Sequence, residues 1–263
     1  MICQTSVVLN VVASALLVLV LQPQATNPKA GKKLVFDQDF SKIKRIDTKI
    51  WQFDDGPVYN NELEKYTNAA HRNAWIEKGA LVIEARKEGK VITSARLVSH
   101  PTWKYGYIEA TVEVPKGKGT WPAFWMLGDR LRQSGAKNLG WPKCGEIDIM
   151  EQIGSDPKAI HFSLHTEKYN WMKKEQRTKV VNLADPTGFH TYGLNWTAKA
   201  IDFYLDGKPV YHVDKTENTI DAWPFDDRFY IILNLAIGGN MGGPVDDKIF
   251  PCRYRVKSVR VYQ

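Results

Sequence analysis

Short runs in which apolar and polar residues alternate recur from Leu34 to the C-terminus, and they constrain the fold of this chain more than any other feature. They read LVFDQDF, ALVIEAR, YGYIEATVEV, AIHFSLH, KAIDFYLD, FYIILNL and YRVKSVRVY. Side chains of a strand point alternately to opposite faces, so each run predicts a strand. Turn signals separate the runs: Asp55-Gly56, Glu77-Lys78-Gly79, Lys116-Gly117 and Asp206-Gly207. Many short strands spaced in this way predict an all-β sandwich with almost no helix. No Gly/Ser linker, repeat or low-complexity tract follows Lys32, so residues 26–263 are expected to form one domain. A sandwich of that size commonly stands alone, and it buries ample apolar surface without disulfides.

Residues Val7 to Leu21 form an apolar run followed by Gln22-Pro23-Gln24-Ala25. The run is short for a membrane span and fits the core of a secretory signal peptide, so 1–25 is expected to be a leader. Its n-region lacks Lys and Arg, and an uncleaved anchor is the alternative. Either way the domain is expected to be secreted, extracellular, periplasmic or at the cell surface, with no membrane contact of its own. The formal charge is +7, but the Lys and Arg residues are scattered without a dense basic run. That distribution argues against nucleic acid and leaves a sulfated or uronic polysaccharide, or a negatively charged cell surface, as a milder option. With Cys3 in the leader, Cys144 and Cys252 are too few for a disulfide framework.

The stretch WPKCGEIDIMEQIG, Trp141 to Gly154, carries three carboxylates interleaved with Ile147, Ile149 and Met150. Alternation puts Glu146 and Asp148 on one face and the isoleucines on the other. Glu151 is out of phase by one residue, and burying it unpaired among the isoleucines would be costly. A β-bulge near Ile149–Met150 is therefore expected to return Glu151 to the acidic face, since bulges favour positions beside active sites. Glycosidic bond hydrolysis is the chemistry that asks for paired carboxylates, one protonated and one ionised. Mutual repulsion would raise the pKa of whichever acid ionises last. A merely structural acidic strand with a solvated face accounts for these six residues equally well.

The wider chain decides between the two. GTWPAFWMLG (Gly119–Gly128) ahead of GEIDIME resembles glycoside hydrolase family 16, and most of all its laminarinase-like branch of endo-β-1,3-glucanases. The resemblance continues through NNELEKYT, KYGYIEATVEVPKGKG, HTEKYN and WPFDDRFYIILNLAIGGN to FPCRYRVKSVRVYQ, in the family's order. It implies a two-sheet jelly roll of the concanavalin A-like kind, with a substrate cleft on the concave face. It also implies a polysaccharide partner, β-1,3-glucan or mixed-linkage β-1,3-1,4-glucan first, and a monomer. A galactan of the agar or carrageenan type, transglycosylation, or a glucan-recognition lectin without catalysis are the alternatives. The lectin relatives break the acidic triad, which this chain keeps.

Residue by residue, the resemblance makes Glu146 the nucleophile of a retaining mechanism, Glu151 the general acid/base, and Asp148 the group that tunes Glu146. Cys144 falls where relatives often have a packed thiol. Trp121 and Trp125 resemble sugar-stacking tryptophans, although a core placement suits each as well, and Pro122 between them suits an edge or irregular stretch. Asn61 resembles a substrate contact or is simply a turn former. Trp103 to Glu113 reads as one strand with Trp103, Tyr105, Tyr107, Glu109 and Thr111 on a single face, which assigns Glu109 to the cleft. Relatives usually carry Arg where Tyr107 and Thr111 stand. His165 is read as a cleft residue near Glu151, with solvent exposure as the other reading. His161 lies ~13 Å away along the strand at ~3.3 Å per residue, too far to share a metal ion with it. Asn234 shares its face with Ala236 and Gly238, which leaves room for a sugar, or it is a buried amide.

No cofactor is expected, and the sequence leaves a metal site undecided. Asp39 could correspond to a ligand of the family's structural calcium, but Lys257 stands where relatives often carry Asp, and a hard cation needs several oxygens. Met241 occupies a position often held by Trp, and Asn195-Trp196-Thr197 is a glycosylation sequon, relevant only in a eukaryotic host.

Overall fold

The computed structural model describes residues 27–68 and 72–263, so the apolar run Val7–Leu21 and the expected leader 1–25 lie outside the described residues. The alternating runs pair into two sheets. Seven strands form the first, in spatial order Arg177–Asn182, Asp156–His165, Glu146–Ile153, Thr120–Gly128, Phe229–Ile237, Arg96–Trp103 and Trp51–Phe53. The second has ten strands, with Gly106–Glu113 and the C-terminal strand Cys252–Tyr262 near its middle. The C-terminal strand pairs with Gly106–Glu113 along one edge, and with Leu34–Asp39 and Ala80–Glu88 end to end along the other. Two of the turn signals close hairpins: Lys78-Gly79 and Asp206-Gly207 each place both residues at positive φ, as a two-residue type I′ turn requires. Helix is confined to one four-residue turn, Gly239–Gly242, and short 3₁₀ segments among the described residues. None of these helices is long and apolar enough to cross a membrane.

One core lies between the sheets. Phe124, Met126, Ile147, Ile149, Phe162 and Leu233 enter it from the first sheet, and Ile83, Ile108, Leu194, Phe203, Tyr254 and Val256 from the second, all fully buried. Each such side chain contributes about 1.5–3 kcal/mol relative to exposure. The same alternation turns Trp121, Ala123, Trp125, Asp148 and Asn234 to the other face of the seven-stranded sheet, where they help to line a cleft. Fold class and cleft face thus match the sequence reading. Cys144 and Cys252 are both buried free thiols, and burial pushes each up to about 12.

Two local expectations are corrected. Trp103 to Glu113 is not one strand: Arg96–Trp103 belongs to the seven-stranded sheet and Gly106–Glu113 to the ten-stranded one. The chain crosses between sheets at Tyr105-Gly106, both at positive φ, and a side chain on Gly106 would meet the Tyr262 carbonyl. Glu109 is consequently remote from the cleft lining; it is buried against Lys29 (Nζ–Oε1 2.8 Å) and accepts from the Tyr262 hydroxyl. The second correction concerns one of the two settings expected for Pro122: it lies inside a central strand and not at an edge, in a stretch where the ladder is interrupted. It pairs with Leu235 on one side, while the ladder to the acid strand ends one residue earlier, at Ala123–Glu151.

Asp39, the residue that could correspond to a ligand of the family's structural calcium, accepts from the Ser41 amide and hydroxyl and has Lys42 Nζ at 3.4 Å and Arg260 Nη2 at 3.7 Å. Lys42 and Arg260 also pair with Asp37 (3.8 and 2.9 Å), and two carboxylates already matched by two cations do not make the several-oxygen cage a hard ion needs. Lys257 lies over the Phe189 ring instead.

Candidate active site

The acid strand carries the expected bulge. Asp148 pairs with Ser163 and Trp125, Glu151 with His161 and Ala123, and the register slips between them in both ladders. Ile149 and Met150 are both fully buried, so two consecutive side chains enter the core. Glu151 then returns to the cleft beside Glu146 and Asp148.

Close backbone contacts fix both ends of this strand. At one end the Gly128 amide donates to the Gly145 carbonyl (3.0 Å), and at the other the Gly154 amide donates to the Thr120 carbonyl (2.9 Å). A Cβ on Gly128 would stand 1.9 Å from the Cys144 carbonyl oxygen, and one on Gly154 1.8 Å from that of Gly117. Only glycine permits either approach.

Each glutamate is held by an indole. Trp141 Nε1 donates to Glu146 Oε2 (2.7 Å) and Trp121 Nε1 to Glu151 Oε1 (2.9 Å). Asp148 lies between the glutamates in sequence, and its buried Oδ2 accepts no well-aligned hydrogen bond, with His165 Nε2 its near polar neighbour at 3.2 Å. Burial, then the neighbouring Asp148, pushes the Glu146 carboxyl up to about 8; His165 and the Trp141 N–H act in the opposite direction. Asp148 is raised well above the usual carboxylate range by burial and by Glu151. Burial also raises Glu151, against the pull of His165 and the Trp121 donor. The three titrate as a set, and such a set retains protons at neutral pH. It can therefore present a carboxylic acid and a carboxylate together.

His165 is buried rather than solvated. It stands opposite Glu146 in the ladder, with Nε2 3.2 Å from Asp148 Oδ2 and 3.9 Å from Glu146 Oε1. It also pulls on the Glu151 carboxyl, while the residue directly opposite Glu151 in the ladder is His161, because the bulge shifts the register. Glu146, Asp148 and His165 bring one ligand atom each within 4.8 Å of one another. That is a thin set for a hard cation, and it is made of the groups the acid chemistry would use.

The remaining assigned residues line the cleft, which has a volume of about 930 Å³. Asn61, in a left-handed conformation, donates to Asn240 Oδ1 (2.8 Å), so the turn and cleft readings both hold. Trp121 is largely buried and presents its N–H to Glu151, while Trp125 is partly buried. Asn234 accepts from Trp125 Nε1 (2.7 Å) and donates to the Tyr66 hydroxyl (3.0 Å). Its amide orients Trp125, a role with no signal in its own strand.

Several cleft residues were not assigned from sequence. Arg96 pairs with Asp54 (2.8 Å) and lies over the Tyr66 ring. Nearby Glu62 is pushed up to about 8 by burial and by Glu64. Trp141 and Trp171 line the cleft at its acid-strand side. Their juxtaposition is long-range, and no local periodicity announces it.

The buried triad also sets a stability trend. A carboxyl with a raised folded pKa stabilises the fold fully only below its unfolded value, near pH ~4, and loses that contribution as pH climbs through the folded value. For Glu146 that value is about 8. Asp148 is raised in the same way, and Asp148→Asn removes the proton that folding must retain above pH ~4, so it should stabilise the fold increasingly with pH. Thermal melts are expected to show little gain at pH 5 and a rise of about 2–5 °C at pH 8. An equal shift at both values would contradict the burial account.

Comparison with known proteins follows the same outline. Residues 59–247 match the model of the glycosyl hydrolases family 16. A β-glucanase of Rhodothermus marinus is 39% identical, the alignment covering 88% of this chain and 85% of that one. The crystal structure of a laminarinase from Flavobacterium sp. UMI-01 superposes with a TM-score of 0.81 at 41% identity, covering 88% of this chain and all of that one. A mutant of a non-specific endo-β-1,3(4)-glucanase, 38% identical with a TM-score of 0.81, covers 89% of this chain and 95% of its own, and holds 1,3-β-D-cellobiosyl-glucose at its active site.

Proposed function

The chain belongs to glycosyl hydrolase family 16, and we propose that this O-glycosyl hydrolase cleaves internal β-1,3 linkages of β-glucans with retention at the anomeric carbon. Mixed β-1,3-1,4 chains fall within the same activity. One observation carries the reading: Glu146, Asp148 and Glu151 share one face of a bulged strand in an open cleft, with an indole N–H on each glutamate. Glu146 is assigned as nucleophile and Glu151 as general acid/base, following the family pattern.

In the first step a Glu146 carboxylate oxygen attacks C1 of the sugar. The C1–O bond breaks, and the Glu151 proton goes to the departing oxygen. The glycosyl ester on Glu146 is then attacked at C1 by water, whose proton passes to Glu151, and the ester bond breaks to free Glu146. Trp141 stabilises the Glu146 carboxylate before attack and after release. Asp148, held protonated by burial, can donate to Glu146 and spread its charge. The reading also has the protein acting outside the cytoplasm as a monomer, the first part supported by the apolar run Val7–Leu21.

Laminarin tests the proposal directly. Reducing ends should appear with a ladder of oligosaccharides from the start, and their absence would refute it. The acid limb of kcat/KM reports the free nucleophile and should lie well above the usual carboxylate range, toward the value of about 8 set by burial of Glu146. Trp141→Phe removes the donor that favours the anion, so its acid limb should move further to alkaline pH. A limb near pH ~4.5 in both proteins would contradict the proposed protonation of the triad.

A further inference from the structure

The cleft crosses the seven-stranded sheet. At one flank lie Gln52 and Arg96, on the last two strands of the spatial order. Trp171 lies at the other, in the connection between the two strands that close the opposite edge. The acid strand runs between them, third from that edge. Trp171 is 43% exposed although it is a large apolar side chain. Its ring centre is 6.4 Å from that of Trp141, with the planes inclined by 36°, and Trp141 in turn holds Glu146. The two indoles continue the cleft wall outward from the carboxylates.

The exposure is built rather than incidental. Trp171 opens a 3₁₀ turn whose preceding residue, Asn170, is completely buried. The Asn170 side chain donates to the Thr166 and Glu167 carbonyls (2.9 and 3.2 Å) and accepts from the Lys173 amide. The Thr166 amide and the Tyr169 carbonyl close the base of the loop (2.7 Å). A loop fixed this firmly holds the Trp171 ring at the cleft rim, leaving part of it bare.

We propose that Trp171 is a sugar-stacking subsite, remote from the bond being cleaved, that grips the glucan chain where it leaves the acid strand on the side away from Arg96. The β-linked glucose ring offers an apolar C–H face that suits an indole, and exposed aromatic surface at the rim of a cleft is a recognised mark of a binding site. The tilt between Trp141 and Trp171 suits a chain that curves from one ring to the next. This inference rests on the β-glucan reading above, and it adds a residue that sets the chain length the enzyme prefers.

The test compares laminarin with the shortest β-1,3-gluco-oligosaccharide the protein cleaves. Trp171→Ala should raise KM for laminarin about tenfold, as loss of contact with half an indole implies. It should leave kcat on the shortest substrate within about twofold. Trp171→Tyr should restore most of the affinity, and Met172→Ala, which alters the exposed neighbour outside the cleft lining, should change nothing. Isothermal titration of a long laminari-oligosaccharide into Glu146→Gln, with and without Trp171→Ala, should show the same loss without turnover. An unchanged KM for laminarin would overturn the subsite alone. A fall in kcat equal on both substrates would also overturn it, since Trp171 would then be positioning Trp141 and Glu146. A wild-type protein inert on every β-glucan would overturn the substrate reading and the subsite with it.

Discussion

Glu146→Gln and Glu151→Gln are each expected to lower laminarin hydrolysis by about 10³-fold or more while leaving the fold intact. Glutamine matches the protonated carboxyl in shape, and burial already favours the uncharged form at both positions. Melting temperatures at pH 7 should therefore equal or exceed the wild type. The two variants should differ in what survives. With an activated aryl leaving group no proton is needed to break the C1–O bond, so Glu151→Gln should still form the glycosyl ester and release a burst of aglycone. Added azide, which needs no general base, should then speed turnover. Glu146→Gln should do neither. Equal behaviour of the two variants on the aryl substrate would remove the division of roles.

The second large effect should come from residues that touch no substrate. Gly128→Ala and Gly154→Ala each place a Cβ less than 2 Å from a carbonyl oxygen, 1.9 and 1.8 Å respectively. Those oxygens belong to the backbone and have no rotamer by which to retreat. The ends of the acid strand must move, and Glu146 or Glu151 moves with them. Misplacement of a reacting group by about 1 Å costs on the order of 10²-fold in rate. Overpacking of this kind costs about 1–3 kcal/mol or somewhat more, which lowers Tm by roughly 5–10 °C in a domain of this size. Circular dichroism melts and laminarin assays on the same preparations separate the two effects. Full activity in either alanine variant would show that the strand ends are not the clamp described.

The bulge was legible because a carboxylate out of phase is too costly to ignore: burial of Glu151 among Ile147 and Ile149 would leave it without a partner. The same logic failed at Glu109. Alternation records which face a residue takes and not which sheet its strand joins, and the crossing at Tyr105-Gly106 preserves the pattern while moving the chain to the other layer. Pro122 reads as an edge or irregular residue by its missing N–H; its strand is central, and the ladder to the acid strand ends at Ala123 and accommodates it. The slip that rescues Glu151 also places His161 opposite it in the ladder, a pairing that plain alternation does not give. Asn234 and Trp125, Trp141 and Glu146, and Arg96 and Asp54 are partners far apart in the chain or across a turn, and local period carries no trace of them.

The most direct measurement is to locate the covalent intermediate. A 2-deoxy-2-fluoro-β-laminaribioside with a good leaving group slows release of the ester, so the sugar can be found by peptide mass mapping after rapid digestion at low pH. The mass increment should fall on Glu146, with Asp148 and Glu151 unmodified. A sugar attached to Glu151 or Asp148, or steady turnover of natural β-glucan with no adduct at any of the three, would contradict the mechanism.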